Sequence, residues 1–391
     1  MGTLHPFRTK NGSRLRVITS ESTTSSLFSQ DKKRCQNRCV LLSLGALGSQ
    51  SVPVTLQIGD KDKVPEVAIA GWLPPAEPVL AAYERWQQCY WQMLACDSRF
   101  ASRLSVPAVQ VTNVSVREVL QRCYLAEDSL SSCINQWLNS EAFRPVRETL
   151  LAYCHPSESI RVLLKTDDLQ IQKLPLHKWD WFERYSQAEL VLSSATYANS
   201  SRLGQTPSSH LRVLAVLGNS RGLDVEADLS LLNNLPDASV TCLREPSRLQ
   251  LNETLWDGCW DIILFAGHSD RNEQHKTKLN FKLNEQERLS LNELKYALKT
   301  AIARNLKLLI LNTCDSLSLI QDLSDLCLPA TIAMRQAVPD VVAQTFLRYF
   351  LSALSNRQSL CASVREAREK LQGIEHQFPF SSSIPVLYQT L

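Results

Sequence analysis

Residues 155–391 are predicted to form an α/β fold, a mainly parallel sheet with helices on both faces, preceded by a smaller α+β region over residues 50–150. Three observations carry this. Beyond residue 210, continuous apolar runs that suit strands buried on both faces alternate with amphipathic helical stretches. Before residue 155, alternating strand patterns are followed by longer helical ones. The composition, 44% apolar and 21% charged over 391 residues, is that of a globular protein with room for more than one core.

Residues 1–40 read as a disordered basic tail. Eight of the basic residues lie in the first 38 positions against only Glu21 and Asp31, and the stretch is rich in Ser and Thr with no secretory core segment. Alternation at 52–58 and around 67–71 predicts two strands, and a Pro-rich turn covers 73–78. A helix over 79–94 then places Leu80, Tyr83, Trp86, Tyr90 and Leu94 on one face, a stripe that suits core packing. Further helices are expected over 115–126 and 128–151. No constellation in this front part suggests chemistry.

A strand over 159–165 leads into Leu174-Pro175-Leu176-His177, and a second apolar run ends at Leu192. The small, polar, Pro- and Gly-bearing stretch 198–210 reads as a linker or long loop. The alternation then becomes regular, with strands over 211–217, 238–243, 261–266, 306–312 and 330–334. Helices are expected over 225–235, 248–256, from about Leu291, and over 317–326, with two more closing the chain. At Ser290 a capping box forms with Glu293, and Leu291, Leu294, Leu298, Ala301 and Ile302 make the apolar face that follows. No repeat of solenoid length is present.

The formal net charge of +3 falls to a slight negative excess once the tail is removed, so no basic face for nucleic acid is expected. No apolar stretch is long enough to cross a bilayer. The twelve cysteines are scattered singly and read as reduced cytoplasmic thiols. Cys35 and Cys39 lack a second ligand pair at zinc spacing, and neither a metal nor a cofactor is expected.

In an open parallel sheet, reactive groups gather beyond the carboxyl ends of the strands. His268 follows the strand ending at Ala266, and Cys314 follows the strand ending at Asn312, 46 residues later. Each alone is more often a surface imidazole or a small core thiol. At adjacent strand ends with this spacing they suit a nucleophile and its general acid/base. A thiol of pKa ~8.5 is activated by a neighbouring imidazolium or helix N-terminus, and His268 can return the proton to the leaving amine. His177 and His376 have no such nucleophile, and Ser269 and Ser316 lack a G-x-S-x-G elbow. Gly218-Asn-Ser-Arg-Gly222 is neither a Walker loop nor a dinucleotide turn.

The segments LRVLAVLGNSRGLDVEAD, WDIILFAGHS, LNTCDS, MRQAVPDVVAQTFLRYF and SVREAREKLQGIE resemble the CHAT family (caspase HetF associated with TPRs), in the form found in cyanobacteria. The front segments VTLQIG, GWLPPAEP and SEAFRPVRETLL extend the resemblance over nearly all residues after 50. It implies a caspase-like fold and the chemistry of a His/Cys endopeptidase, with His268 as general acid/base and Cys314 as nucleophile. It further implies an oxyanion hole from the Ser269 and Cys314 N–H groups, Ser269 standing where relatives have Gly. Ser316 likewise replaces a Gly typical of these relatives.

In the wider clan the residue two before the nucleophile lines the substrate pocket, which here is Asn312. A neutral amide cannot fix a guanidinium as a carboxylate does, so a preference for Arg or Lys requires Asp270 or Asp315, the nearest acids in sequence. The expectation is a cytoplasmic cysteine endopeptidase with a polypeptide substrate, controlled by a protein partner or by its N-terminal region. The rival is a silent member of the family that serves as an interaction module.

Overall fold

The computed structural model describes residues 38–47, 51–60, 63–100, 115–193, 210–271, 279–321, 326 and 330–389. The tail up to residue 37 with Cys35, and the stretch 198–209, lie outside them. The strands are β1 (Arg38–Leu44), β2 (Val52–Asp60), β3 (Val67–Leu73), β4 (Ile160–Lys165), β5 (Ala188–Ser193), β6 (Leu211–Leu217), β7 (Ala238–Arg244) and β8 (Ile262–Ala266), followed by β9 (Ser269–Arg271), β10 (Leu279–Lys282), β11 (Arg288–Leu289), β12 (Leu308–Asn312), β13 (Ala330–Met334) and β14 (Pro385–Gln389). The main helices are α1 (Glu77–Cys96), α2 (Val116–Leu138), α3 (Arg144–Tyr153), α4 (Leu169–Lys173), α5 (Asp180–Arg184) and α6 (Val225–Asn233), then α7 (Arg248–Asp257), α8 (Lys295–Ala303), α9 (Leu317–Gln321), α10 (Asp340–Ser355) and α11 (Leu360–Leu371).

Eleven strands form one mixed sheet in the order β3-β2-β1-β4-β5-β14-β13-β12-β8-β6-β7. Helices cover both of its faces, α10 packing on α6 and α11, and α7 on α8. This is the mostly parallel α/β architecture expected, with β1 to β3 adding an antiparallel flank to the same sheet. Strands β4, β5, β8, β12 and β13 read as near-continuous apolar runs because both faces are buried.

Three expectations are corrected. The tail does not reach residue 40: Arg38 starts β1, where its guanidinium forks onto both carboxylate oxygens of Glu66 at 2.7 Å and Val40 is fully buried. The break expected between helices over 115–126 and 128–151 lies elsewhere: α2 runs through residue 127, with Glu127 turned inward onto Lys178, and ends at Leu138, and α3 starts at Arg144. The closing helices do not end the fold, since β14 inserts between β13 and β5, antiparallel to the first and parallel to the second.

The register of β6, β8 and β12 is set at the amino ends. The Asp261 N–H donates to Arg212 O, its carbonyl accepts from Lys307 N, and its buried carboxylate meets Lys307 Nζ at 2.8 Å. Starting level, β6, β8 and β12 also finish level, with Leu217 opposite Ala266 and Ala266 opposite Asn312. The capping box forms as expected, the Glu293 carboxylate accepting from Ser290 N at 2.8 Å, and the five apolar positions that follow are buried. No helix among the described residues is long and apolar enough to cross a membrane.

Candidate active site

Because three strands end level, the residues two beyond each end, Asn219, His268 and Cys314, emerge side by side at one edge of the sheet. The His268 loop is narrow. Gly267 takes φ +143°, a conformation side chains rarely adopt, and a Cβ there would press on Gly218 at 3.2 Å. Gly218 is itself confined, since a Cβ on it would lie 2.2 Å from Lys282 O. The glycine-bearing stretch 218–222 therefore serves to admit the His268 backbone, whose N–H donates to Asn219 O at 3.0 Å.

The ring of His268 is held by the same stretch. Its Nε2 lies 2.9 Å from Arg221 O. A carbonyl only accepts, so Nε2 carries a hydrogen, and the tautomer this selects has its lone pair on Nδ1. Nδ1 is sealed from solvent and has no hydrogen-bond partner among the described residues. Nδ1 is thus the ring nitrogen with no contact already assigned to it.

The two loops are joined directly. Ser269 is fully buried and its Oγ donates to the carbonyl oxygen of Cys314 at 3.0 Å. Beyond His268 the chain forms a small sheet, β11-β10-β9, which had no signature in the sequence. The side chain of Asp270 in β9 lies outside the described residues.

Cys314 itself is fully buried, with Sγ accepting from Val338 N–H at 3.1 Å and lying 3.6 Å from Val338 O. The tight turn after it falls at Asp315, at φ +48°, in the left-handed region that Asp tolerates. Ser316 needs no glycine conformation. Its buried hydroxyl donates to Leu311 O and accepts from Met334 N–H, each at 2.8 Å, stitching the ends of β12 and β13 together. Asp315 is also turned inward, where Lys173 Nζ of α4 meets its carboxylate at 2.9 Å. Asn312 is buried too, and its amide nitrogen lies 3.5 Å from both carboxylate oxygens of Asp228, a fully buried acid of α6.

Sequence reasoning missed a whole segment of this site. Residues 335–338 follow β13 and wrap the Cys314 loop: Gln336 O accepts from Asp315 N–H, and Val338 N–H points at the sulfur. Arg335 anchors one end, its buried Nη1 donating to Gln172 O and Leu174 O at 2.6 Å each, and burial pulls its pKa down to about 9. The front region, in which the sequence shows no constellation for chemistry, also reaches this segment. On α1, Tyr83 bonds the Gln336 side chain, Gln87 donates to it at 3.3 Å, and Tyr90 donates to Ala337 O at 2.7 Å. Trp86, between them, packs on Phe380 with ring centroids 3.9 Å apart.

The sequence matches the CHAT domain family over residues 135–381. The chain belongs to the CHAT domain family. A search of curated proteins finds no match. Among solved structures the CHAT protein is similar to gingipain R, an Arg-specific cysteine proteinase, with a TM-score of 0.40 and 10% identity over 67% of each chain.

Two cavities of this CHAT protein lie elsewhere, one near Arg38, Ser159 and Arg365 and one between Val40, Leu138 and Trp181, and neither is lined by His268 or Cys314. Among the described residues no group of three His, Cys, Asp or Glu side chains gathers to hold a metal ion. The cysteines described are free thiols.

Proposed function

We propose that this CHAT protein is a cysteine endopeptidase in which Cys314 is the nucleophile and His268 the general acid/base. The observation that carries the reading is the level ending of β8 and β12, which sets the two residues at matching positions on loops joined by the Ser269 to Cys314 bond. In this reading the thiolate attacks the scissile carbonyl carbon, and the oxyanion is received by the Ser269 and Cys314 N–H groups. The amine departs with a proton from His268 Nδ1, and water then cleaves the thioester as His268 takes a proton back. The substrate is a polypeptide held near Asn312 and Asp270, and the enzyme acts in the cytoplasm under the control of a protein partner.

The burial of Cys314 supports control, since a substrate carbonyl reaches the sulfur only after residues around it shift. The same burial favours a second reading, a family member that no longer cleaves and acts as an interaction module. Labelling with a thiol-reactive peptide ketone separates the two. The endopeptidase reading expects adduct on Cys314, absent in Cys314→Ala, together with cuts in a proteome-derived peptide library. Neither adduct nor cuts, with or without cell extract, leaves only the interaction module.

A further inference from the structure

We propose that Tyr90 of α1 is a positioning residue that sets the acidity of the Cys314 thiol through a single peptide group. Ala337 O, which accepts from Tyr90 Oη at 2.7 Å, and Val338 N, which donates to Cys314 Sγ at 3.1 Å, belong to the same amide. The peptide is trans, so its two ends point in opposite directions, one at the phenol and one at the sulfur. All four residues are fully buried. The order is therefore phenol, amide, thiol, with no water needed between them.

The physics gives the link a sign. A donor on the carbonyl polarises the amide and strengthens its N–H as a donor, the more so at low dielectric. An N–H aimed at sulfur favours the charged thiolate, whereas the longer contact to Val338 O favours the thiol. Burial pushes the Tyr90 phenol well above its ordinary pKa, so it remains a donor across the neutral range. Tyr83, Gln87 and Tyr90 stand at helical spacing on one face of α1, and the first two hold Gln336, which keeps the segment seated while Tyr90 addresses the amide.

Among the described residues, the titratable groups around the Cys314 loop include His268 after β8, Asp315 with Lys173 from α4, Arg335 after β13, Asp228 on α6 and the two tyrosines of α1. Tyr90→Phe changes the charge of none of them. It removes one donor at the far end of one amide.

The test is a thiolate titration of the full chain, read as the ultraviolet difference between wild type and Cys314→Ala and again between Tyr90→Phe and the Tyr90→Phe/Cys314→Ala double variant. The expected result is an upward shift of about half a pH unit, a roughly three-fold loss of thiolate at a given pH. Tyr83→Phe, which removes a hydroxyl that meets the Gln336 side chain and not the amide, should leave the titration in place. Coincident curves for wild type and a folded Tyr90→Phe overturn the proposal, as does an equal shift in Tyr83→Phe. Should Tyr90→Phe not fold, a ring-fluorinated tyrosine at position 90, a stronger donor, should shift the thiol downward, and no shift overturns it equally. The value of this device for peptide cleavage rests on the endopeptidase reading. The titration does not, so a shifted thiol in a chain that cleaves nothing removes that reading and leaves this one standing.

Discussion

Ser269 Oγ donates to the carbonyl oxygen of Cys314 at 3.0 Å, so the loop that carries His268 and the loop that carries the thiol form one unit. Replacing Cys314 by Ala, or His268 by Ala, is expected to lower peptide cleavage by on the order of 10⁴ or more while the fold persists, because members of a catalytic unit fail together. Circular dichroism checks the fold and a fluorogenic peptide panel the rate. A tenth of wild-type activity in Cys314→Ala is enough to sink the assignment.

Cleavage is expected to follow a bell in pH bounded by two apparent values that belong to the thiol/imidazole pair rather than to either residue. It should also require a reductant, because oxidation of Cys314 removes the nucleophile. Unchanged rates after treatment with an oxidant, with Cys314 modification confirmed by mass spectrometry, would contradict the mechanism.

Specificity for Arg or Lys separates two acids. Asp270, two residues after His268, is one of the two acids nearest in sequence, whereas Asp228 is the buried carboxylate that faces Asn312. The substitution that removes the recognising charge should cut kcat/KM for an Arg substrate by roughly 10- to 100-fold. We expect this of Asp270→Asn, with Asp228→Asn as the comparison; if only Asp228→Asn has the effect, the role passes to α6.

Ser316→Ala leaves Leu311 O and Met334 N–H without their buried hydroxyl partner. A loss of about 1 to 3 kcal/mol in urea unfolding is expected. Ser316→Gly, which restores the residue typical of relatives, should lose as much, and a neutral Ser316→Gly would show that the stitch contributes nothing.

His177 is held neutral, its pKa pushed well below 6.5 by burial and then by the cations Arg368, Arg335 and Lys178, with Nε2 3.0 Å from Ser383 Oγ. The folded pKa is depressed, so the unfolded chain binds a proton that the folded chain refuses. Stability is fully present above pH 6.5 and falls as pH drops below it, by up to about 1.4 kcal/mol per pH unit. Melting temperatures of wild type and His177→Gln across this range should converge at low pH. Parallel curves would rule the linkage out.

What could be read in advance follows from where the information resides. Strands β6, β8, β12 and β13 were visible because burial on both faces makes an apolar run bounded by polar turns, and the placing of His268 and Cys314 beyond two strand ends because those runs stop at Ala266 and Asn312. Strand β14 was not, since PVLYQ follows aromatic and serine residues with no alternation and runs against the βαβ rhythm. β1 was hidden by the basic stretch before it. The roles of Ala337 and Val338 were unreadable for a deeper reason: they act through main-chain groups, which no side-chain pattern encodes.

The insertion of β14 between β13 and β5 makes the sheet two fans of opposed direction joined by its last strand. Helix α1 lies in the crossover from β3 to β4 and belongs to the first fan, whereas Cys314 belongs to the second. A ribosome must therefore deliver the chain through Gln389 before either fan loses its raw inner edge, a late, long-range closure that is slow by nature. A chain stopped before Pro385 would present two unpaired edges to its neighbours, and its tyrosine and its thiol would sit on halves of a sheet that no strand joins.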